Sequence, residues 1–183
     1  MNALHPTVWR TCRVLSNEQR LRLLWKLFQL GEGNVTALGD AVGLKEPLAS
    51  DYLRALNARG LISSERRRNY VFYNPVANPE VEHAGQMLDI LRDCYEDLIP
   101  MAKVTYHMTA FTHPRRLDIV RALSQGVEDE VQLSVQTRIS PEALYRHIKK
   151  LDARGYVEKN GRELRLVEQR AGLSQDLLSI VLG

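Results

Sequence analysis

The residues most able to do chemistry are three adjacent arginines, Arg66-Arg67-Arg68, in the stretch SSERRRNYVFYNP. Guanidinium groups fork onto phosphate oxygens through paired N–H donors. Three of them side by side repel one another and cost folding energy, but they suit contact with a polyanion. The stretch reads as a hairpin, with Leu61 to Ser64 as one strand and Asn69 to Tyr73 as the returning one. The arginines are then expected at its tip. A solvated turn with idle charges is the alternative, and what precedes the hairpin decides between the two.

Other chemistry is thinly represented. The chain contains no glycine-rich phosphate loop, no HExxH and no nucleophile elbow. Ser50 and His147 lie on different helices far apart in the sequence and do not form a dyad. Glu128, Asp129 and Glu130 read as an exposed acidic turn. No enzymatic activity is expected. The two cysteines, Cys12 and Cys94, are too few for a disulfide framework and suit a reducing, cytoplasmic location. Apolar residues make up 44% of the 183-residue chain and charged ones 26%, which excludes wholesale disorder. No apolar run approaches the roughly 20 residues of a membrane span. The opening MNALHPTVWRTCR lacks the basic start and apolar stretch of a secretory leader. The net charge of +3 permits an acidic partner without requiring one.

The elements that must position the arginines recur along the chain. Leu15, Leu21, Leu24 and Leu27 in the first half match Phe111, Leu117, Val120 and Leu123 at a constant offset (Leu21 to Leu117). Further on, Leu53, Leu56, Ala58, Arg59 and Gly60 match Ile148, Leu151, Ala153, Arg154 and Gly155, one residue closer (Gly60 to Gly155). Such a period is too long for a solenoid unit and reads as a duplicated domain. In the first copy, helical spacing covers Thr7 to Leu15 and Glu18 to Leu30, the latter capped by Asn17. Thr36 to Val42 forms a short helix, and a longer one runs from Glu46 to Arg59 before Gly60. The second copy follows, with Ser140 capping a helix from Pro141 that ends at Gly155. Tyr156 to Lys159 and Arg162 to Val167 flank an Asn160-Gly161 turn. Trp9 and Trp25 fall on apolar stripes and read as core. Between the copies, residues 80–98 carry Val81, Ala84, Met87, Leu88, Leu91, Tyr95 and Leu98 on one helical stripe, ended by Pro100. That stripe has nothing left to cover in the first copy, so it is expected to pack on its counterpart, for which Leu173 to Leu182 is a shortened candidate.

Helix, helix, short helix, tight turn, longer helix and hairpin is the order of a winged helix-turn-helix. The turn tilts the longer helix so that its first half can enter a major groove, while the hairpin reaches phosphates or the minor groove. Behind such a motif, Arg66, Arg67 and Arg68 read as DNA contacts. The stretches LKEPLASDYLRALNARGLI with RRRNYVFYNP, and ISPEALYRHIKKLDARGYV, resemble the recognition helix and wing of the ArsR/SmtB-like repressors, once per copy. The resemblance implies DNA-facing roles for Lys45, Glu46, Ser50, Tyr52 and Arg54 in the first copy. In the second it implies them for Ser140, Tyr145, Arg146, His147 and Lys149, with Lys159 and Arg162 on the shorter wing. Asp51 stands where the family favours arginine.

The expected fold is therefore mainly α with small β-hairpin wings. Two tandem winged helix-turn-helix domains, 1–78 and 100–183, are joined by an interface helix at 79–99 and arranged as an intramolecular pseudo-dimer. The resemblance implies a DNA-binding transcriptional regulator, a repressor by family habit, reading double-stranded DNA with two unequal halves. Its recognition helices would lie roughly 34–36 Å apart. A winged-helix scaffold for protein–protein contact, without DNA binding, is the alternative that Glu46 and Asp51 favour. A small-molecule effector between the copies and pairing of two chains are both compatible with the sequence. The family's metal ligands have no equivalent here. The short helices lack cysteine, and Glu80, Glu82, His83, Asp89 and Cys94 lack a second histidine at the family spacing. His83 with Met87, His107 and His113 read as ordinary core or polar residues, and Cys12 and Cys94 as inert thiols. No cofactor is expected. Metal analysis of tag-free protein should accordingly find far less than one zinc per chain; a stoichiometric signal would contradict this reading.

Overall fold

Asn17 starts the first long helix by chemistry that the sequence carries openly: its side-chain oxygen accepts the Arg20 amide at 3.1 Å. The computed structural model describes residues 6–183. Residues 1–5, the beginning of the stretch read above as lacking a leader, lie outside the described residues. The first half runs α1 (Val8–Leu15), α2 (Glu18–Leu30), β1 (Gly33–Asn34), α3 (Val35–Val42), α4 (Glu46–Asn57), β2 (Ser63–Arg67), β3 (Tyr70–Asn74) and α5 (Ala84–Glu96). The second runs α6 (Met101–Met108), a 3₁₀ turn (Thr109–Phe111), α7 (Pro114–Ser124), α8 (Glu130–Thr137), α9 (Pro141–Asp152), β4 (Val157–Asn160), β5 (Glu163–Leu166) and α10 (Leu173–Leu182). Among the described residues no helix is long and apolar enough to cross a membrane.

The order of elements thus recurs, down to details the sequence did not announce. β1 adds a third antiparallel strand to the first hairpin, giving the order β1-β3-β2. In the second half the same place is taken by a single bridge between Asp129 and Glu163. In each half the residue there caps the next helix. Asn34 accepts the Ala37 amide at 2.9 Å, and Asp129 accepts those of Val131 and Gln132 at 2.9 Å each. Asp129 and Glu130 are therefore a helix start rather than part of a solvated acidic turn.

Several expected boundaries shift for local reasons. The linking helix begins at Ala84 rather than near residue 80, because His83 turns back to place Nε2 2.9 Å from Thr11 Oγ1. Asn57 ends α4, two residues early. It turns its side chain to the Ile62 carbonyl at 2.8 Å. The second hairpin pairs Asn160 with Glu163, so its two-residue turn is Gly161-Arg162, not Asn160-Gly161. The first pairs Arg67 with Tyr70, which leaves Arg68-Asn69 as the turn. Arg66 and Arg67 consequently lie in β2, and Arg68 alone of the three occupies the tip, with φ 55°. Trp9 and Trp25 are half-buried rather than enclosed, Trp25 packing edge-on to Tyr95 at 6.1 Å. Ser140 occupies the N-cap position of α9 but makes no capping bond with its side chain.

One apolar cluster runs through both halves, from Cys12, Leu15 and Leu24 through Met87 and Leu91 to Met108, Phe111, Tyr156 and Leu177. Across the middle, α1 packs on α6 and the 3₁₀ turn, while α5 packs on α10. Burying each such Leu or Phe contributes about 1.5–3 kcal/mol. Arg121 closes the C-terminal end of α10 by donating Nε to the Val181 carbonyl at 2.8 Å.

Gly60 and Gly155 end α4 and α9 with the same φ of +73°, yet their surroundings differ. A Cβ on Gly60 would lie 2.9 Å from the side chain of Val81, whereas one on Gly155 meets nothing within 4 Å. Both alanine substitutions should cost about 1 kcal/mol for left-handed backbone. Gly60→Ala should cost about 1–2 kcal/mol more through the clash. Equal urea midpoints for the two variants would contradict this packing.

Candidate nucleic-acid interface

α9 follows α8 through Arg138, which takes the left-handed conformation at φ 54° and so ends α8 in a tight turn. Pro141 opens α9 at a position where its missing N–H is harmless. Ala143, Leu144, Ile148 and Leu151 face the core. That leaves Ser140, Tyr145, Arg146 and Lys149 exposed along the opposite side. Tyr145 is 54% exposed, a large aromatic left in water on a charged face. Arg146 and Lys149 make no ion pair within 4 Å among the described residues. Their donors are free for an anionic or base-edge acceptor.

His147 points differently. Its ring lies 4.6 Å from that of His113, which caps α7 by accepting the Arg115 amide on Nδ1 at 3.2 Å. Behind them Arg116 is buried, donating Nη2 to Thr112 Oγ1 at 2.6 Å, while its Nε finds no acceptor among the described residues. Burial, then the charges of His113, Arg116, Arg115 and Arg146, push His147 down to about 4. Burial and the charges of Arg116, Arg115 and Arg13 lower His113. His147 thus packs α9 on the start of α7 through a neutral, half-buried ring.

The corresponding helix of the first half is charged differently. Lys45 is exposed at its N-cap. Glu46 accepts a bond from Thr36 at 3.3 Å, and Ser50 is half-buried. Arg54 is held by Asp51 at 2.6 Å. Tyr52 lies under the Arg20 guanidinium, 4.9 Å from ring centre to Cζ. On the wings, Arg67 is held by Glu65 and Glu32, each at 2.8 Å, leaving Arg66 and Arg68 without a carboxylate partner among the described residues. Lys159 is held by Glu130 at 2.9 Å and lies over Tyr145, while Arg162 is exposed at the second turn.

The sequence reading missed the arginines behind α4 and α9. Arg20 on Tyr52 and Arg116 beside His147 are the same pair in the two halves, and the offsets that match the leucines also match these residues. Among the described residues no group of three His, Cys, Asp or Glu is placed to hold a metal. Cys12 is fully buried and its thiol pushed up to about 12, and burial raises Cys94 to about 11.

Residues 113–159 match the family model described as bacterial regulatory protein, arsR family. These residues form an ArsR-type helix-turn-helix. The match takes in α7, α8, α9 and nearly all of β4. No curated protein matches the chain, and no solved structure does.

The seat of α9 makes stability depend on pH in a defined direction. His83, His107, His113 and His147 all have folded-state values lowered by burial. The unfolded chain therefore binds more protons below about pH 6.5, and stability falls as pH drops. For His147 the loss runs from about pH 6.5 down to about pH 4. The unfolding temperature should decline between pH 7.5 and 4.5, and His147→Gln should make that decline shallower. An unchanged slope in the variant would contradict the neutral, half-buried ring.

Proposed function

We propose that the chain is a sequence-specific DNA-binding transcription regulator, a repressor that occupies an operator. In this reading residues 1–78 and 100–183 are tandem winged helix-turn-helix units joined through the 79–99 segment as an intramolecular pseudo-dimer. The observation that carries it is the ArsR-type helix-turn-helix at 113–159, whose α9 turns Tyr145, Arg146 and Lys149 outward, with Arg146 and Lys149 in no ion pair among the described residues. The recurring element order, and the packing of α1 on α6 and of α5 on α10, support the pairing of like elements about a central axis.

The halves divide the work unequally. α9 reads base edges through Arg146 and Lys149, with Ser140 and Tyr145 at its flank and Arg162 on the wing. α4 contributes Lys45, Ser50 and Arg54, with Arg54 tempered by Asp51. The first wing supplies phosphate contacts from Arg66 and Arg68. An operator for such a protein is not a palindrome.

Duplexes selected from a mixed pool should share an asymmetric motif. Arg146→Ala should weaken that site by about 1–3 kcal/mol and relax its sequence preference. Arg66→Ala and Arg68→Ala should each lower the salt slope of log K by about one, and Arg67→Ala by less. No retained duplex even at low salt would favour the protein-interaction scaffold instead.

A further inference from the structure

Four arginines from three separate segments converge beside α1. Arg10 and Arg13 come from α1, Arg20 from the start of α2 and Arg59 from just past the end of α4. With Trp9, Val14, Ser16 and Asn17 they line an open cleft of about 510 Å³. Among the described residues no carboxylate lines it. None of the four makes an ion pair within 4 Å among the described residues.

Other contacts already fix two of these side chains. Arg10 stacks on Trp9 with Cζ 4.9 Å from the ring centre, and Arg20 stacks on Tyr52 at the same distance. Arg20 also donates Nη1 to the Val14 carbonyl at 3.2 Å. Stacking holds a guanidinium flat while leaving its edge donors unused. Arg20 Nε and Arg59 Nη1 are buried and find no acceptor among the described residues. Burial and the Arg10 charge both disfavour the Arg59 cation. A folded chain gains nothing by assembling these charges against one another. An oxyanion among them would supply both the missing acceptors and the opposite charge.

We propose that this cleft is a binding site for a phosphate-class oxyanion, separate from the exposed face of α9 and from both wings. Free phosphorylated small molecules and a DNA backbone phosphate share this chemistry. A free ligand would tie α1 to α2 and to the end of α4. Because Arg20 rests on Tyr52, the ligand would also stiffen the seat of α4, which is how an effector could alter operator affinity if the regulator reading holds.

The test uses the full chain. Sodium pyrophosphate is titrated against the DNA-free protein at ionic strength matched with sodium chloride, with calorimetry and thermal unfolding as readouts. A free-anion site gives saturable binding and an unfolding temperature that rises with the logarithm of pyrophosphate. Exposed Arg13→Gln should weaken that binding about tenfold, and Arg10→Gln similarly, for the loss of charge-assisted hydrogen bonds. If pyrophosphate has no effect but Arg13→Gln lowers the salt slope for duplex binding by about one, the occupant is a backbone phosphate. Pyrophosphate binding undiminished in both variants overturns the site. So does absence of a pyrophosphate effect with either an unchanged salt slope or a wild type that binds no DNA. The first arm needs no DNA, so failure of the regulator reading leaves it standing.

Discussion

Burial of α1 and α5 against α6 and α10 is the constraint on which the rest of the structure depends. Each of these helices turns part of its apolar face to an element of the other half. Cys12 and Leu15 on α1, Met87 and Leu91 on α5, Val104 and Met108 on α6, and Leu177 and Val181 on α10 are all shielded from water. A small helix-turn-helix unit buries too little of its surface to be robust alone. The apolar cluster shared by the two halves adds buried surface, and it also holds α4 and α9 in place relative to one another. Tyr106 and Arg154 extend the same logic to the second half. Tyr106 donates its hydroxyl to the Ala153 carbonyl at 2.6 Å, and Arg154 stacks on the Tyr106 ring. The end of α9 is thereby locked to α6.

Charge is then distributed over this frame with a difference between halves. In the first half, Asp51 and Glu65 sit beside the arginines that would otherwise project freely. In the second, the exposed side of α9 keeps its cations unpaired, while Glu130 restrains Lys159 on the wing. Surface pairs of this kind add little stability, on the order of 0–1 kcal/mol. Their consequence lies in what they withdraw from an incoming polyanion. The central arginines, Arg10, Arg13, Arg20 and Arg59, have no such restraint, which is why they stand out from the solvated charge elsewhere.

Much of the frame was legible because it rests on local signals. Apolar periodicity, the Asn17 cap, Gly60 and Gly155 as helix stops, and Pro100 as a break all act within a few residues of themselves. The helix-turn-helix order followed from those marks, and the leucine offsets exposed the recurrence. What the sequence hid depends on partners distant in the chain. β1 exists because Gly33 and Asn34 meet Tyr73 and Phe72. The late start of α5 depends on Thr11 reaching His83. Glu32, far from the wing in sequence, claims Arg67. His147 sat among the residues implied to face DNA, yet its ring packs on His113, a contact across two helices that no spacing rule announces. The arginine cleft was invisible for the same reason, since its four members come from three segments.

The central claim, that one chain presents two unequal DNA-reading halves, is tested most directly by the stoichiometry of the complex. Native mass spectrometry of the protein on its selected duplex counts the chains. One chain per duplex, on a site without two-fold symmetry, is the expected result. Two chains on a palindromic duplex, with like halves paired between molecules, would contradict it.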